Sequence, residues 1–412
     1  MTHGGVLAYG LLGLPLAFAA LPIYVHLPGF YAASTGLELA WLGVVLLVAR
    51  LFDAAIDPVL GWLADRVSRP RMVALALLPF AAGFVALLNP QGPSPALWLL
   101  LSLLVTYLGF SAASVAYQAW GAGIAGDSVT RTRLTAAREG FGLVGVVLAA
   151  ALPALLASDL QAGVQRLSWL LPPLLLVSAL VSLGWGRSGQ VSKRIAGESS
   201  PADLFAGLHT MLAEQAFRRL LMVFVLNGIA SALPATLFLF FVADQLAVAD
   251  AGGALLALYF IAGAGSLPLW LGVARRLGRA LAWLAAMLLA MLAFAGAGLL
   301  GAGDLWPFAL ICLLSGLALG ADLSLPAAIA ADLGERCAMS GTCFGIWNLV
   351  TKLNLALAAG LALPLVGAFG YAPGGSTGLS ALVFAYAFLP LLFKGLAALL
   401  LWRWRHSLEI ES

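Results

Sequence analysis

The sequence predicts an all-α membrane protein: twelve transmembrane helices in two six-helix, pseudo-symmetric bundles. Three observations predict it. Of the 412 residues, 62% are hydrophobic and 9% charged, with a mean hydropathy of +1.02. No soluble globular domain has this composition. At about 20 residues per span plus short loops, the length holds about twelve helices. The one long polar stretch, Gly186 to Ser200, lies near the middle with six apolar segments on either side.

In chain order the apolar runs predict spans at 6–29, 38–64, 72–89, 96–124, 135–157 and 165–186, then at 216–243, 251–274, 279–301, 305–332, 340–368 and 378–402. The start, Met1 to Gly5, lacks a basic region, and the run after it is long enough to span, so no cleavable leader is expected. Basic residues test the layout. Arg66, Arg69, Arg71, Arg131, Arg133, Arg187, Lys193, Arg194, Arg218, Arg219, Arg275, Arg276, Arg279, Arg336, Arg403 and Arg405 all fall in loops or ends on one side. Arg166 alone falls in a loop on the other, and the positive-inside rule puts both termini in the cytoplasm. The expected organisation is therefore 1–186 as one bundle, 187–215 as a cytoplasmic linker and 216–412 as the second bundle. Within the linker, Ser200 suits a cap, Pro201 the first helical position and Asp203 the first turn. Leu204, Leu208, Met211 and Leu212 then recur at the spacing of a short amphipathic surface helix. Two six-span halves are the layout of a major facilitator transporter.

The chemistry concentrates in the second span. Arg50, Asp53 and Asp57 lie three and four residues apart, on one helical face. The carboxylates are about 6 Å apart along the axis, and Asp53 lies about 18 Å from the aqueous end marked by Asp65 and Arg66. An acid at that depth costs about 2.5–3.5 kcal/mol. Two acids so placed can share a cation or a proton. The structural alternative is a fixed Arg50–Asp53 pair, which leaves Asp57 unexplained.

Other deep polar groups carry two readings each. Lys352, near mid-depth in span eleven, contacts substrate or couples to the acids, or bridges to Asp322. Asp322 precedes Pro326, where span ten is expected to break; it lines a cavity or forms a structural pair. Arg138 is a cavity cation or snorkels to the interface, with Glu139 as a local partner. Lys394 snorkels or is structural. His26, flanked by Pro22 and Pro28, suits an interface. Tyr9, Tyr24, Tyr117, Gln118, Trp120, Asn227, Tyr259, Trp347 and Asn348 serve packing or substrate contact. Cys312, Cys337 and Cys343 form no CxxC, and His3, His26, His209 and His406 are scattered, so neither a disulfide framework nor a zinc site is expected. No basic–aromatic interleaving points to nucleic acid. No H-E-x-x-H or G-x-S-x-G occurs, which argues against an enzyme.

The stretch Arg50, Asp53, Asp57, Pro58, Gly61 resembles the R-x-x-D-x-x-x-D-P-x-x-G signature of the glycoside–pentoside–hexuronide:cation symporter family, the melibiose permease-like branch of the major facilitator superfamily. Gly61, Asp65 and Arg66 fit the superfamily's loop motif. Ala116-Tyr117-Gln118-Ala119-Trp120-Gly121, Asp127, Arg131 to Leu134 and Arg138 are similar to a second family pattern, with Ala116 at the usual proline and Trp120 at the usual leucine. Phe344 to Lys352 gives a weaker third match, in which the family often has a lysine at the Lys352 position. The resemblance implies a cation, sodium or a proton, at Asp53 and Asp57, aided by Ser111. It implies substrate contacts from Arg138 and Lys352; Ser114, Tyr117, Gln118, Trp120, Trp347, Asn348 and Asp322 are the further candidates among the polar and aromatic groups of the spans. Arg50, Gly61, Asp65 and Arg66 would be structural or gating residues. No metal beyond that sodium, and no cofactor, is implied. The family's sugar-gripping acids in spans one and four are absent here: no acid precedes Glu38, and Ser114 stands at the span-four position. The expected solute is sugar-like or otherwise small and polar, and the alternative is an amphiphile such as a lysolipid or a hydrophobic acid. The expected setting is a bacterial inner membrane, with the lipid bilayer as partner and a monomer as the working form.

Overall fold

A computed structural model describes residues 2–35, 39–91, 94–157, 159–188, 203–371 and 377–409. These residues are almost entirely helical. The chain opens with α1 (His3–Gly10), α2 (Gly13–Leu21), a π-turn (Pro22–His26) and α3 (Leu27–Thr35), then α4 (Leu39–Ala64), α5 (Arg69–Leu88), α6 (Pro95–Ile124), α7 (Ser128–Leu156) and α8 (Leu160–Ser188). After α9 (Leu204–Ala213) come α10 (Gln215–Phe240), α11 (Gly252–Leu277), α12 (Arg279–Ala295), α13 (Leu305–Arg336), α14 (Ser340–Ala368), α15 (Leu379–Val383) and α16 (Leu389–Leu408). Ten helical segments of the described residues are long and apolar enough to cross a membrane. The charged α4, of 26 residues, and α14, of 29, supply the other two expected spans.

Several boundaries differ from the sequence expectation. The first span is three helices, interrupted at Leu11–Leu12 and at the π-turn that begins at Pro22. Proline cannot donate to the ladder, and the π-turn absorbs the lost bond. The fifth span starts earlier, because Asp127 caps it: its carboxylate accepts from the Thr130 N–H at 2.8 Å and the Thr130 hydroxyl at 2.7 Å. These bonds hold the Asp127 carboxyl below its usual range. Arg131 and Arg133 are therefore helical. α13 runs unbroken through Pro326, so the expected break is corrected. Continuous packing along a 32-residue helix tolerates one missing N–H. The surface helix begins at Leu204, with Asp203 accepting from the Ala206 N–H at 3.3 Å. The proposed cap Ser200, Pro201 and the rest of the linker segment 189–202 lie outside the described residues, Lys193 and Arg194 among them.

Two compact units divide the chain. The first takes 1–211 with 330–349, and the second takes 212–329 with 350–412. In the first, α5 and α6 cross closely at Gly109, where a Cβ would run into the Phe80 backbone and would lie 2.8 Å from the Phe80 Cβ. Gly109→Leu should overpack this crossing at a cost of about 1–3 kcal/mol; a lower unfolding temperature of the purified protein is the check. In the second, Phe241 stacks on Tyr386 with ring centroids 4.0 Å apart, beside the buried Phe308.

Candidate functional site

The first unit brings together the acids of α4 and a hydroxyl of α6. Asp53 is 3% exposed and Asp57 fully buried. The Ser111 hydroxyl donates to Asp53 Oδ1 at 2.7 Å. Tyr107, one turn before Ser111 and equally buried, faces both Arg50 and Asp53. Sequence reasoning missed Tyr107, although its spacing of four from Ser111 puts both on one face of α6. Two carboxylates one turn apart plus a hydroxyl form an oxygen-rich, negatively charged set suited to a hard monovalent cation.

At the end of α4 the chain fastens the hairpin 330–349, which belongs to the same unit. Asp65, 276 residues away in sequence, accepts from the Gly341 N–H at 2.6 Å, the Thr342 N–H at 2.7 Å and the Thr342 hydroxyl at 2.8 Å. These N–H groups are the unsatisfied donors of the α14 N-terminus, where a carboxylate is favoured. Burial pushes the Asp65 carboxyl up, and the Gly341 and Thr342 donors with Arg69 pull it partly back. Arg69 spans Asp65 and Glu335, both at 3.3 Å, and donates to the Ala119 carbonyl at 2.8 Å. Ser340 donates to Glu335. Arg131 pairs with Asp332 at 2.7 Å and donates to the carbonyls of Ala122 and Ala125. Arg66 turns away to stack on Trp62, 3.9 Å from the ring centre. Gly61 makes the close approach possible: a Cβ there would strike the Gly341 carbonyl and lie 2.9 Å from the Gly345 Cα. Asp332 and Glu335 were not singled out from sequence. The cluster Asp332-Leu-Gly-Glu335-Arg336 at a span end is the signal that marks them.

A third cluster gathers α1, α6 and α7. The Tyr9 hydroxyl donates to the Tyr117 carbonyl at 3.0 Å, and Tyr117 donates back to the Tyr9 carbonyl. The Trp120 ring lies 5.6 Å from Tyr9, and its buried indole Nε1 has no hydrogen-bond partner among the described residues. Arg138 is half-buried beside both phenols and pairs with Glu139 at 3.0 Å through Nε, which matches the local partner expected for it. Gln118 donates to Asn348 Oδ1 at 3.2 Å. Ser114 and Trp347 are buried in this unit.

Asp322 and Lys352 belong to the second unit. The partner that the structure gives Asp322 is Lys394, at 2.8 Å, in place of the Lys352 weighed from sequence. Lys394 is buried rather than snorkelling, and it also donates to Asn227 Oδ1 at 2.7 Å. Trp283 Nε1 donates to the second Asp322 oxygen at 2.8 Å.

Buried ionisable side chains on helices long enough to span a membrane mark a functional site. Residues 5–407 match the family described as MFS/sugar transport protein, and the chain belongs to that family. Its fold is the major facilitator fold. It is similar to a bacterial homologue of the iron transporter ferroportin in an outward-facing state, with TM-score 0.72 and 14% identity over 98% of this chain and 100% of that one. It is also similar to the Major Facilitator Superfamily transporter FucP in the outward conformation, with TM-score 0.68 and 14% identity over 96% and 99%. The human organic anion transporter MFSD10 (TETRAN) matches with TM-score 0.67 and 20% identity over 96% and 100%.

Proposed function

We propose that this transporter is a cation-coupled symporter, of the glycoside–pentoside–hexuronide:cation type, that moves a sugar-like or other small polar solute by alternating access. The observation that carries the reading is the buried set Asp53, Asp57 and Ser111, with the Ser111 hydroxyl on Asp53. A sodium ion or a proton neutralises the acid pair, which lowers the cost of closing the site around solute. The ion gradient and the membrane potential, about 2.3 kcal/mol per charge per 100 mV, drive transport. The family description supports a sugar-like solute. Arg138, the Tyr9–Tyr117–Trp120 cluster, Ser114, Gln118, Trp347, Asn348 and Lys352 are the proposed solute contacts. Asp65, Arg66, Gly61 and Arg50 serve gating or support. Asp322 is reassigned from solute contact to the Lys394 pair.

A second reading, transport of an amphiphile such as a lysolipid or a hydrophobic acid, is favoured by one observation. The half-buried cation Arg138 sits beside an aromatic cluster in a half that carries no acid before Glu38. The proposed setting is a bacterial inner membrane, with both termini cytoplasmic, the protein monomeric, and neither catalysis nor a cofactor involved. The test is uptake into proteoliposomes under an imposed sodium or proton gradient. Accumulation above the outside solute concentration is expected, collapsing when the gradient is dissipated. Equilibration alone would establish a passive pore instead. Sugars and lysolipids compared in the same vesicles separate the two readings.

A further inference from the structure

The second unit holds a charge cluster of its own. Lys394 on α16 places its ammonium 2.7 Å from Asn227 Oδ1 on α10 and 2.8 Å from Asp322 Oδ2 on α13. Trp283 on α12 holds the other Asp322 oxygen at 2.8 Å. Lys394 is 8% exposed. Tyr259 on α11 lies close to the acid. A carboxylate oxygen and an amide oxygen therefore meet around one positive charge. Oxygen donors of these kinds are what a hard monovalent cation takes, and a carboxylate orientated by an indole N–H is held ready for one.

We propose that the second unit contains a monovalent-cation site, built from Asp322 and Asn227, whose resident occupant is the tethered ammonium of Lys394. The ligand class is an ammonium- or sodium-sized cation. In the native chain the site is permanently filled, so an external ion does not enter it. Deleting the tethered ammonium exposes the site, and the second unit then depends on a cation from solution. This inference stands on groups of the second unit alone and does not rest on the proposed coupling at Asp53 and Asp57.

The test is thermal unfolding of the full-length purified protein in choline, sodium or methylammonium chloride at equal ionic strength. The chains compared are the wild type, Lys394→Ala and Lys394→Ala/Asp322→Asn. Choline, a quaternary ammonium without N–H groups, cannot make the two hydrogen bonds that Lys394 donates. Lys394→Ala is expected to unfold earlier in choline and to regain about 2–4 °C in methylammonium or sodium, beyond the response of the wild type. Subtracting the wild-type response removes any effect of the first-unit acids. The double variant is expected to lose the extra response, because neither charge remains. Equal unfolding of Lys394→Ala in all three salts overturns the proposal and leaves a simple helix-to-helix bridge. A response that survives in the double variant overturns it as well. If Lys394→Ala is recovered only in methylammonium or sodium, the site is supported. If it fails in every salt while the double variant folds, the site is refuted.

Discussion

Asp53→Asn is expected to abolish ion-driven uptake while leaving the protein folded and inserted. The amide keeps an oxygen in place of Oδ1, so the 2.7 Å bond from the Ser111 hydroxyl survives. The negative charge does not. Removing one member of a buried charge pairing costs about 3–5 kcal/mol, which translates to roughly 10²- to 4 × 10³-fold in cation affinity. Asp57→Asn should behave alike, since Asp57 is fully buried on the same helix face. Ser111→Ala removes a hydrogen bond to a charged group, worth about 1.5–3 kcal/mol, and should weaken coupling by roughly tenfold or more. Vesicle uptake driven by an imposed gradient, with the sodium-dependent thermal shift recorded alongside, measures all three. Normal ion-driven uptake in both Asn variants would defeat the cation assignment.

Asp65→Ala is expected to loosen the 330–349 hairpin. Three donors at 2.6–2.8 Å and the Arg69 guanidinium converge on this carboxylate. Their loss leaves the first N–H groups of α14 without an acceptor in a buried place. Even about 2 kcal/mol of the lost interaction raises the open population roughly 30-fold. Cys343 is a native reporter, since it is fully buried and its thiol donates to the Ala330 carbonyl at 3.2 Å. With Cys312 and Cys337 replaced by Ala, its rate of alkylation should rise in step with opening. Asp65→Asn should fall between, because an amide oxygen still accepts but carries no charge. A wild-type alkylation rate in Asp65→Ala would show that the hairpin is held by packing at Gly61, Gly341 and Gly345 instead.

Much of the candidate site is visible in the sequence because it is local. Arg50, Asp53 and Asp57 share a face by helical spacing alone, and the apolar runs around them mark the span. Ser111 required a resemblance to place it. Asp65 could be seen as a motif residue, but not as the cap of a helix that starts 275 residues later. Tyr107 was passed over because an isolated tyrosine in an apolar helix reads as packing. Asp322 was assigned the wrong partner for a related reason: Lys352 and Lys394 both lie deep in spans, and spacing along a chain does not say which helices are neighbours.

The sequence by itself determined the hydrocarbon solvent and the apolar segments long enough to cross it. A hydrocarbon interior demands that backbone groups be satisfied within each helix, so hydropathy alone specifies the spans. Tertiary structure decided the pairings. Lys394 with Asp322 and Asn227, Asp65 with the N-terminus of α14, and Arg138 beside the two tyrosines are choices among several nearly equivalent buried partners. A hydrogen bond needs its partners within about 3.2 Å and well aligned, so which charge meets which depends on helix order and rotation, and no single sequence states those.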